Sequence, residues 1–172
     1  MVQYILIMMF VKLLQIGCLF LLVGCETYQQ KAIRTFDPSQ IKKLSVKKER
    51  INPRGKHQYT MYGKKYRIRK GRNHFHQTGI ASWYLGSQEN SVTAINEPYD
   101  MYALTAAHKT LPLPTYAIIT NLENHKQILV KINDRGPYVN NRILDLSYAA
   151  AYQLGMIKKG LTRVQIDTID HY

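Results

Sequence analysis

The stretch QILVKINDRGPYVNNRILDLS, residues 127–147, contains the strongest local signals for the fold of this chain. It begins with an apolar run typical of a buried strand, and that run ends at Asp134. The next three residues, Arg135, Gly136 and Pro137, are typical of a turn. An acid and a cation therefore stand at the end of a predicted strand, where a rigid scaffold often presents functional side chains.

Two interpretations fit Asp134. It follows the apolar residues Leu129, Val130 and Ile132, so burial at the strand end would raise its pKa and keep it protonated as a general acid. Alternatively, Asp134 or Asn133 caps the turn through backbone amides, or Asp134 pairs with Arg135 or Arg142. The residue pattern alone leaves both interpretations open.

Three more residues at predicted element edges are candidates for chemistry. Arg135 either binds a substrate carboxylate through its guanidinium fork or pairs with Asp145 across the loop. His108, in LTAAHKTLPLPTY, either orients a carboxyl group and shuttles a proton or is a packed residue at a strand end. Glu97 precedes Pro98, which biases its backbone toward an extended conformation on a surface loop or a cleft rim.

From Gly79 onward the sequence has the spacing of an all-β domain, with short apolar runs separated by turn residues. The runs are GIASWY, MYALTAAH, PTYAIIT, KQILVKIN and TRVQIDTI. Residues 121–124 predict a hairpin turn, and residues 58–69 predict a small hairpin before the main domain. One helix is predicted between Ser147, an N-cap type of residue, and Gly155, a C-cap type of residue.

The first 25 residues, MVQYILIMMFVKLLQIGCLFLLVGC, predict a lipoprotein signal peptide over residues 1–24. The apolar stretch ends in Leu-Val-Gly-Cys25, which looks like a bacterial lipobox, so Cys25 is the expected lipidation site. The alternative is an uncleaved membrane anchor. Cys18 would leave with the signal peptide, so no disulfide or thiolate metal site is expected in the mature protein.

The net charge of +13 is concentrated in one segment. Residues 41–72 contain 13 Lys or Arg and the single acid Glu49, whereas residues 73–172 contain eight of each sign. Residues 25–56 lack sustained periodicity and predict a flexible basic tether, followed by the domain at 57–172. The predicted export of the protein and the scarcity of aromatic residues in the basic segment argue against nucleic acid as a partner. Anionic lipid headgroups or peptidoglycan carboxylates are therefore the expected partners of these basic residues.

No cofactor or metal is expected from the motifs. His74 and His76 flank Phe75 without cysteine ligands nearby, which is a weak signal for a metal. The chain has no P-loop, no dinucleotide fingerprint and no Gly-x-Ser-x-Gly elbow.

Four stretches taken together resemble the rare lipoprotein A family, the septal-ring lytic transglycosylases of Gram-negative bacteria. They are GIASWY, YDMYALTAAHKTLPLPTYAIITNLEN, VKINDRGPYV and RILDLSYAAAYQLGM, and the resemblance covers about residues 58–170. It implies an all-β fold, a six-stranded double-psi β-barrel with one short helix. It also implies a lipid-anchored envelope protein that faces the periplasm, and Glu26 after the cysteine favours the outer membrane over the inner.

The resemblance implies a reaction and a set of site residues. The reaction is cleavage of the β-1,4 bond between N-acetylmuramic acid and N-acetylglucosamine, in which the muramic 6-hydroxyl attacks its own anomeric carbon to leave a 1,6-anhydro ring. The family's motif residues correspond to Asp134 as acid/base, Glu97 as a second carboxyl and His108 as an orienting group. The expected substrate-binding residues are Arg135, Tyr99 and Trp83. Peptidoglycan glycan strands are the expected partner, with the membrane through Cys25 and divisome proteins as further candidates.

Two stretches depart from the family pattern. LGSQENSV replaces a glycine and a Phe-His-Gly-like stretch after Tyr84, and Ile95-Asn96-Glu97 replaces the usual Asn-Gly-Glu or Ser-Gly-Glu. A changed loop over residues 85–96 keeps a second hypothesis open, a non-catalytic peptidoglycan-binding or expansin-like barrel. Because the chain ends soon after the last predicted strand, the C-terminal glycan-binding domain of many relatives is not expected.

Overall fold

Eight strands and one short helix form the part of the chain that the structure, a computed structural model, describes: residues 35–55, 57–84 and 91–169. The strands are β1 (Tyr59–Met61), β2 (Lys64–Tyr66), β3 (His76–Trp83), β4 (Thr105–His108), β5 (Thr115–Asn121), β6 (Gln127–Asp134), β7 (Arg142–Leu146) and β8 (Thr162–Thr168). The helix α1 spans Tyr148–Gln153, and 3₁₀ turns lie at Pro38–Gln40 and Pro53–Gly55.

Six of the strands close into a barrel in the order β3-β7-β4-β6-β5-β8. The β3/β7 and β4/β6 pairs are parallel, and the other four pairs are antiparallel. This confirms the predicted all-β, six-stranded double-psi β-barrel with one short helix. Closure leaves no unpaired edge strand in the barrel, which is why the short strands are stable together.

The barrel interior is filled by alternate side chains of its strands. In β6, Ile128, Val130 and Ile132 are buried while the residues between them are half-buried. In β8, Val164 and Ile166 are fully buried, as expected where apolar residues alternate with polar ones along a strand. Each such side chain contributes about 1.5–3 kcal/mol by leaving water. The alternation fixes the register of β6 and therefore the place where Asp134 emerges.

The helix and the β5–β6 turn are as predicted. Ser147 is the N-cap of α1, and its Oγ accepts a hydrogen bond from the amide of Ala150 at 3.3 Å. Gly155 follows the helix with a φ of +70°, the left-handed conformation that glycine adopts without a steric penalty. In the turn, Asn121 Oδ1 accepts from the amide of Glu123 at 2.9 Å. The strand that no apolar run predicted is β7, whose sequence Arg-Ile-Leu-Asp-Leu is neither an unbroken apolar run nor a strict alternation of apolar and polar residues.

The predicted hairpin over residues 58–69 is present as β1 and β2. Tyr62 and Gly63 form its turn with φ values of +49° and +72°, as a tight two-residue hairpin loop requires. Tyr59 and Tyr66 face each other across the strands and their rings stack with centroids 5.0 Å apart. Tyr138, beyond β6, packs edge-on against Tyr66 at 5.8 Å and joins the hairpin to the barrel.

Residues 35–55, which we call the strap, contact the barrel instead of standing free of it. The amide of Lys42 donates to the carbonyl of Tyr102 at 3.0 Å, and the amide of Asn52 donates to the carbonyl of Leu113 at 2.8 Å. The amide of Leu113 in turn donates to the carbonyl of Gly55 at 3.2 Å. This part of the chain differs from the flexible tether expected over residues 25–56.

The reason lies in how the strap is anchored. Its apolar residues occur singly between charged ones, so they form no helix or strand period, yet Phe36, Ile41 and Leu44 each pack against the barrel core. Phe36 stacks on Tyr102 with ring centroids 5.1 Å apart. Apolar residues that occur singly have no repeat spacing, so periodicity in the sequence does not predict that they pack against the barrel.

The predicted signal peptide, Cys25 and the first residues of the predicted tether lie outside the described residues. Within the described ranges, no helix is long and apolar enough to cross a membrane.

We predict that Gly55→Ala destabilises the protein. A Cβ at residue 55 would lie 2.8 Å from the carbonyl oxygen of Leu113, and backbone cannot yield as a flexible side chain does. The expected loss is roughly 1–3 kcal/mol of unfolding free energy, measured by urea denaturation. Gly71→Ala is the matched control, since nothing lies within 4 Å of a Cβ there. Equal stabilities for the two variants would show that the strap is not docked at Gly55.

Candidate active site

Asp134 occupies the end of β6, where the strand passes into the Arg-Gly-Pro turn. Its Oδ1 accepts hydrogen bonds from the backbone amides of Ala94 and Arg135, both at 2.8 Å. Burial raises the pKa of Asp134, while those two amides and the nearby guanidinium group oppose the rise. In the described part of the chain, no donor is hydrogen-bonded to Oδ2. One carboxyl oxygen is therefore fixed, and the other is available to hold a proton.

Both interpretations of Asp134 thus describe part of what it does. It caps the turn through the amide of Arg135, and it also presents a half-buried carboxyl group. The predicted ion pair with Arg142 is not formed, because Arg142 instead faces Asp145 at 3.5 Å.

A cavity of about 450 Å³ opens beside Asp134. Its walls come from the strap, the β1–β2 hairpin, the 92–94 segment and the end of β6. The lining residues are Arg54, Tyr59, Thr60, Met61, Val92, Thr93, Ala94, Asp134, Arg135 and Tyr138. Tyrosine rings and short aliphatic groups next to a carboxyl group suit a ligand with both apolar and hydroxyl surfaces.

Arg135 lines the cavity, but most of its guanidinium group is used inside the fold. One terminal nitrogen donates to the carbonyls of His108 at 3.1 Å and Leu111 at 2.6 Å, and the other donates to the carbonyl of Gly55 at 2.7 Å. The group also lies 5.5 Å from the centre of the Tyr59 ring. Its partners are therefore carbonyls, not the Asp145 side chain that the sequence suggested, and it braces the turn that carries Asp134.

Glu97 is held by two side chains of β6. Lys131 Nζ donates to Oε1 at 2.8 Å, and Asn133 Nδ2 donates to Oε2 at 2.8 Å. Lys131 also binds Glu49 of the strap at 3.0 Å. Glu97 is not one of the residues that line the cavity, although its amide donates at 3.1 Å to the hydroxyl of Thr93, which does.

The loop that contains Glu97 makes a tight turn, although it lacks the glycine of the family pattern. Asn96 stands where the family has glycine, and its φ is +67°. Asparagine tolerates this left-handed conformation better than most residues. The amide of Asn96 also donates to the carbonyl of Thr93 at 2.8 Å, and the amide of Thr93 donates to the carbonyl of Glu97 at 2.8 Å. The other departure from the family pattern is LGSQENSV, residues 85–92, of which residues 85–90 lie outside the described residues.

His108 is buried, with 3% of its surface exposed, and both ring nitrogens have partners within the fold. Nδ1 accepts from the amides of Thr110 at 3.2 Å and Leu111 at 3.1 Å, so the proton is assigned to Nε2, which lies 3.0 Å from Gln77 Oε1. Burial, with help from nearby cations, lowers the pKa of His108 to about 3. The histidine is neutral, makes no hydrogen bond to Asp134, and fixes the turn whose carbonyls bind Arg135.

The two predicted aromatic binding residues lie away from the cavity. Tyr99 is 7% exposed and packs against Tyr84 with ring centroids 5.0 Å apart. Trp83 is half-buried and meets the ring of Tyr148 edge-on at 5.3 Å. Neither side chain lines the cavity, because both turn toward the helix α1 side of the barrel. Trp83 and Tyr99 lie near motif residues in the sequence, but that position does not predict the direction in which their side chains point.

Several cavity residues were not identified from the sequence. Tyr59 and Met61 come from the small hairpin, and Tyr138 follows the Gly-Pro pair. The alternation of Tyr59, Met61 and their neighbours in QYTMYGKKY was the available signal, since it places them on one face of β1. Arg54 lies in the segment that was predicted to be a flexible tether, so no feature of the sequence indicated that it lines a cavity.

A family model described as "Lytic transglycolase" matches residues 76–166, which is more than half of the 172-residue chain. The chain belongs to this family. The matched lytic transglycolase region contains Glu97, His108 and Asp134, while the strap and the hairpin precede it. The resemblance to the rare lipoprotein A family is thereby confirmed, and relatives support it.

Relatives named "Endolytic peptidoglycan transglycosylase RlpA" include proteins of Vibrio cholerae and Neisseria meningitidis. The protein of Vibrio cholerae serotype O1 is 48% identical over 115 residues, covering 67% of this chain and 44% of that protein. The protein of Neisseria meningitidis serogroup B is 45% identical over 124 residues, covering 72% of this chain and 52% of that protein. The chain thus spans about half the length of these curated relatives. A solved structure, the Streptomyces papain inhibitor, is 18% identical with a TM-score of 0.48, covering 59% of this chain and 100% of that one.

Proposed function

We propose that this chain is an endolytic peptidoglycan lytic transglycosylase. It cleaves the β-1,4 bond between N-acetylmuramic acid and N-acetylglucosamine and leaves 1,6-anhydromuramic ends, in cell-wall remodelling or septal cell separation. Membership of the lytic transglycolase family and the names of the relatives support the substrate class. The observation that carries the proposal is Asp134, whose Oδ1 is fixed by two amides while Oδ2 has no donor among the described residues, at the wall of a cavity.

The reaction begins with Asp134 protonated on Oδ2. The carboxyl group gives this proton to the glycosidic oxygen as the bond between that oxygen and the muramic anomeric carbon breaks, so N-acetylglucosamine leaves with a free 4-hydroxyl group. Positive charge then develops at the anomeric carbon. The Asp134 carboxylate accepts the proton of the muramic 6-hydroxyl group as its oxygen bonds to that carbon. The 1,6-anhydro ring forms, Asp134 is protonated again, and no water is consumed.

One carboxyl group suffices because the nucleophile belongs to the substrate. A hydrolytic glycosidase needs a second carboxyl group at a set separation to activate water or to attack, whereas here proton donation and proton acceptance follow one another at one site. Burial, which raises the pKa of Asp134, keeps more of it in the acid form that starts the cycle. The amides on Oδ1 stabilise the carboxylate form that finishes it.

Glu97 and His108 have supporting roles in this proposal. Glu97, held by Lys131 and Asn133, provides a fixed negative charge close to the cavity that favours the positive charge developing on the sugar. His108 acts as a positioning residue, because the turn that it fixes supplies two of the carbonyls that hold Arg135. Tyr59 and Tyr138 are the aromatic surfaces best placed to meet sugar rings.

Replacing Asp134 with asparagine should remove the activity and preserve the fold. The amide oxygen of the new side chain still accepts hydrogen bonds from the backbone, but the side chain can neither give nor take the proton. Full-chain protein incubated with purified sacculi should release anhydromuropeptides, detected by mass spectrometry, at a rate at least about 100-fold higher than Asp134→Asn.

Asp167→Asn is the matched control for this assay. Asp167 is also an aspartate near the end of a strand, but it pairs with His76 on β3 and does not line the cavity. It should retain wild-type product levels. Identical product traces for wild type and Asp134→Asn would refute the enzyme assignment and favour the non-catalytic peptidoglycan-binding or expansin-like barrel.

We propose further that Cys25 is lipidated and anchors the chain in the cell envelope, facing the periplasm, with the outer membrane favoured by Glu26. The support is the sequence of residues 1–26 alone. Radiolabelled palmitate should label the wild-type protein in cells, and Cys25→Ser should lose the label and leave the membrane fraction. A labelled Cys25→Ser variant would contradict lipidation at this residue. Recruitment by divisome proteins stays a prediction.

A further inference from the structure

Tyr62 is the most exposed large apolar side chain in the described ranges, with 85% of its surface open to solvent. It occupies the first position of the β1–β2 turn, where its φ of +49° is in the left-handed region. Asparagine and glycine suit this position, because a bulky side chain is disfavoured there. Tyrosine buries little surface at the turn and gives it a less suitable backbone, so the local structure does not account for it.

The ring of Tyr62 extends the aromatic wall of the cavity beside Asp134. Its centre lies 5.7 Å from that of Tyr138, and the two rings meet edge-on. Tyr138 lines the cavity and also meets Tyr59, another lining residue, edge-on at 6.4 Å. Tyr62 itself is not one of the lining residues. The three rings are therefore continuous from the cavity wall to the tip of the hairpin just beyond it.

Other exposed apolar side chains lie close to Tyr62 and the cavity. Met61 and Val92 line the cavity, and Val139 follows Tyr138 in the chain. We call this group the rim patch: Met61, Tyr62, Val92 and Val139. It contains four of the eight large apolar side chains that are exposed in the described residues. A concentration of exposed apolar groups beside a candidate active site is typical of a binding surface.

We propose that the rim patch binds the glycan strand beyond the sugars held at Asp134, with Tyr62 stacking against one face of a pyranose ring. The inference rests on the proposed function, because it takes the cavity as the place where the scissile bond lies. The C–H groups on the face of a pyranose ring are apolar and weakly positive, whereas the face of a tyrosine ring is weakly negative. The hydroxyl groups at the edges of both rings stay in water.

Continuity with the cavity favours a glycan over a membrane as the occupant of the rim patch. A polymer longer than the cavity must pass over its rim, and the rings of Tyr59, Tyr138 and Tyr62 lead in that direction. A membrane contact would need no such connection to the cavity. The hairpin also precedes residues 76–166, so Tyr62 lies outside the region that the family model matches.

Removing the ring without disturbing the turn tests this. Tyr62→Asn introduces a residue that suits the left-handed conformation before Gly63, so urea denaturation should show no loss of stability. The change is made in the full-length Asp134→Asn protein, the parent, so that binding is measured without cleavage. Peptide-free glycan strands are titrated in by calorimetry. Tyr62→Asn should weaken their binding roughly fivefold, from the loss of one aromatic contact.

Two further variants of the parent identify the cause of that loss. Tyr62→Phe keeps the ring and should restore the affinity of the parent. Leu161→Asn is the matched surface control, because Leu161 is an exposed apolar residue that does not line the cavity. It should bind the strands as the parent does. Weak binding by Tyr62→Asn together with recovery in Tyr62→Phe would assign the effect to the aromatic ring and not to the hairpin backbone.

Equal affinity of the parent and Tyr62→Asn for the strands would overturn the proposal, and so would the absence of detectable binding by either protein. Vesicles of phosphatidylethanolamine and phosphatidylglycerol provide the membrane comparison. If Tyr62→Asn lost binding to these vesicles while its affinity for glycan was unchanged, the rim patch would be a membrane contact instead.

Cleavage of the same strands by the protein with Asp134 in place separates the two proposals. If release of anhydromuropeptides requires Asp134 but affinity does not depend on Tyr62, the enzyme assignment is supported and the role of the rim patch is refuted. If affinity depends on Tyr62 but no strand is cleaved, glycan binding at the rim patch is supported and the enzyme assignment is wrong.

Discussion

The guanidinium group of Arg135 connects three parts of the chain that are distant in sequence. It donates to the carbonyl of Gly55 in the strap and to the carbonyls of His108 and Leu111 at the end of β4 and just after it. A half-buried cation without such acceptors would be costly, so these carbonyls and the cation hold one another in place. The amide of the same residue binds Asp134 Oδ1. The position of the candidate acid therefore depends on the docking of the strap as well as on the barrel.

The barrel and the segments before it contribute different things to the site. The closed barrel fixes β6 and therefore the backbone of Asp134, and it also supplies the Ala94 amide through the loop that contains Glu97. The hairpin and the strap supply much of the cavity wall, including Tyr59 and Arg54. Both lie before residues 76–166, the region that the family model matches, so part of the cavity wall is built from residues that this region does not include.

The features that the sequence predicted correctly are local ones. The apolar run of β6, the Ser147 cap and the hairpin within residues 58–69 depend on residues that are close together in the sequence, so local sequence patterns predict them. Docking of the strap depends on isolated anchors and on backbone hydrogen bonds to distant carbonyls, which leave no periodic pattern. The same limit applies to the site. Asp134 stood out at a strand end, whereas the inward orientation of Tyr99 depends on tertiary packing.

The most direct test of this account is the pKa of the Asp134 carboxyl group, measured by ¹³C chemical shift against pH in the full chain and assigned by comparison with Asp134→Asn. Proton donation by Asp134 requires that desolvation of its carboxyl group outweigh the two amides on Oδ1, so its pKa should lie above about 3.9, the value for an unperturbed aspartate. A pKa at or below that value would mean that Asp134 is a stabilised carboxylate of the turn. It would then be poorly suited to give a proton to the glycosidic oxygen, and the central claim would be wrong.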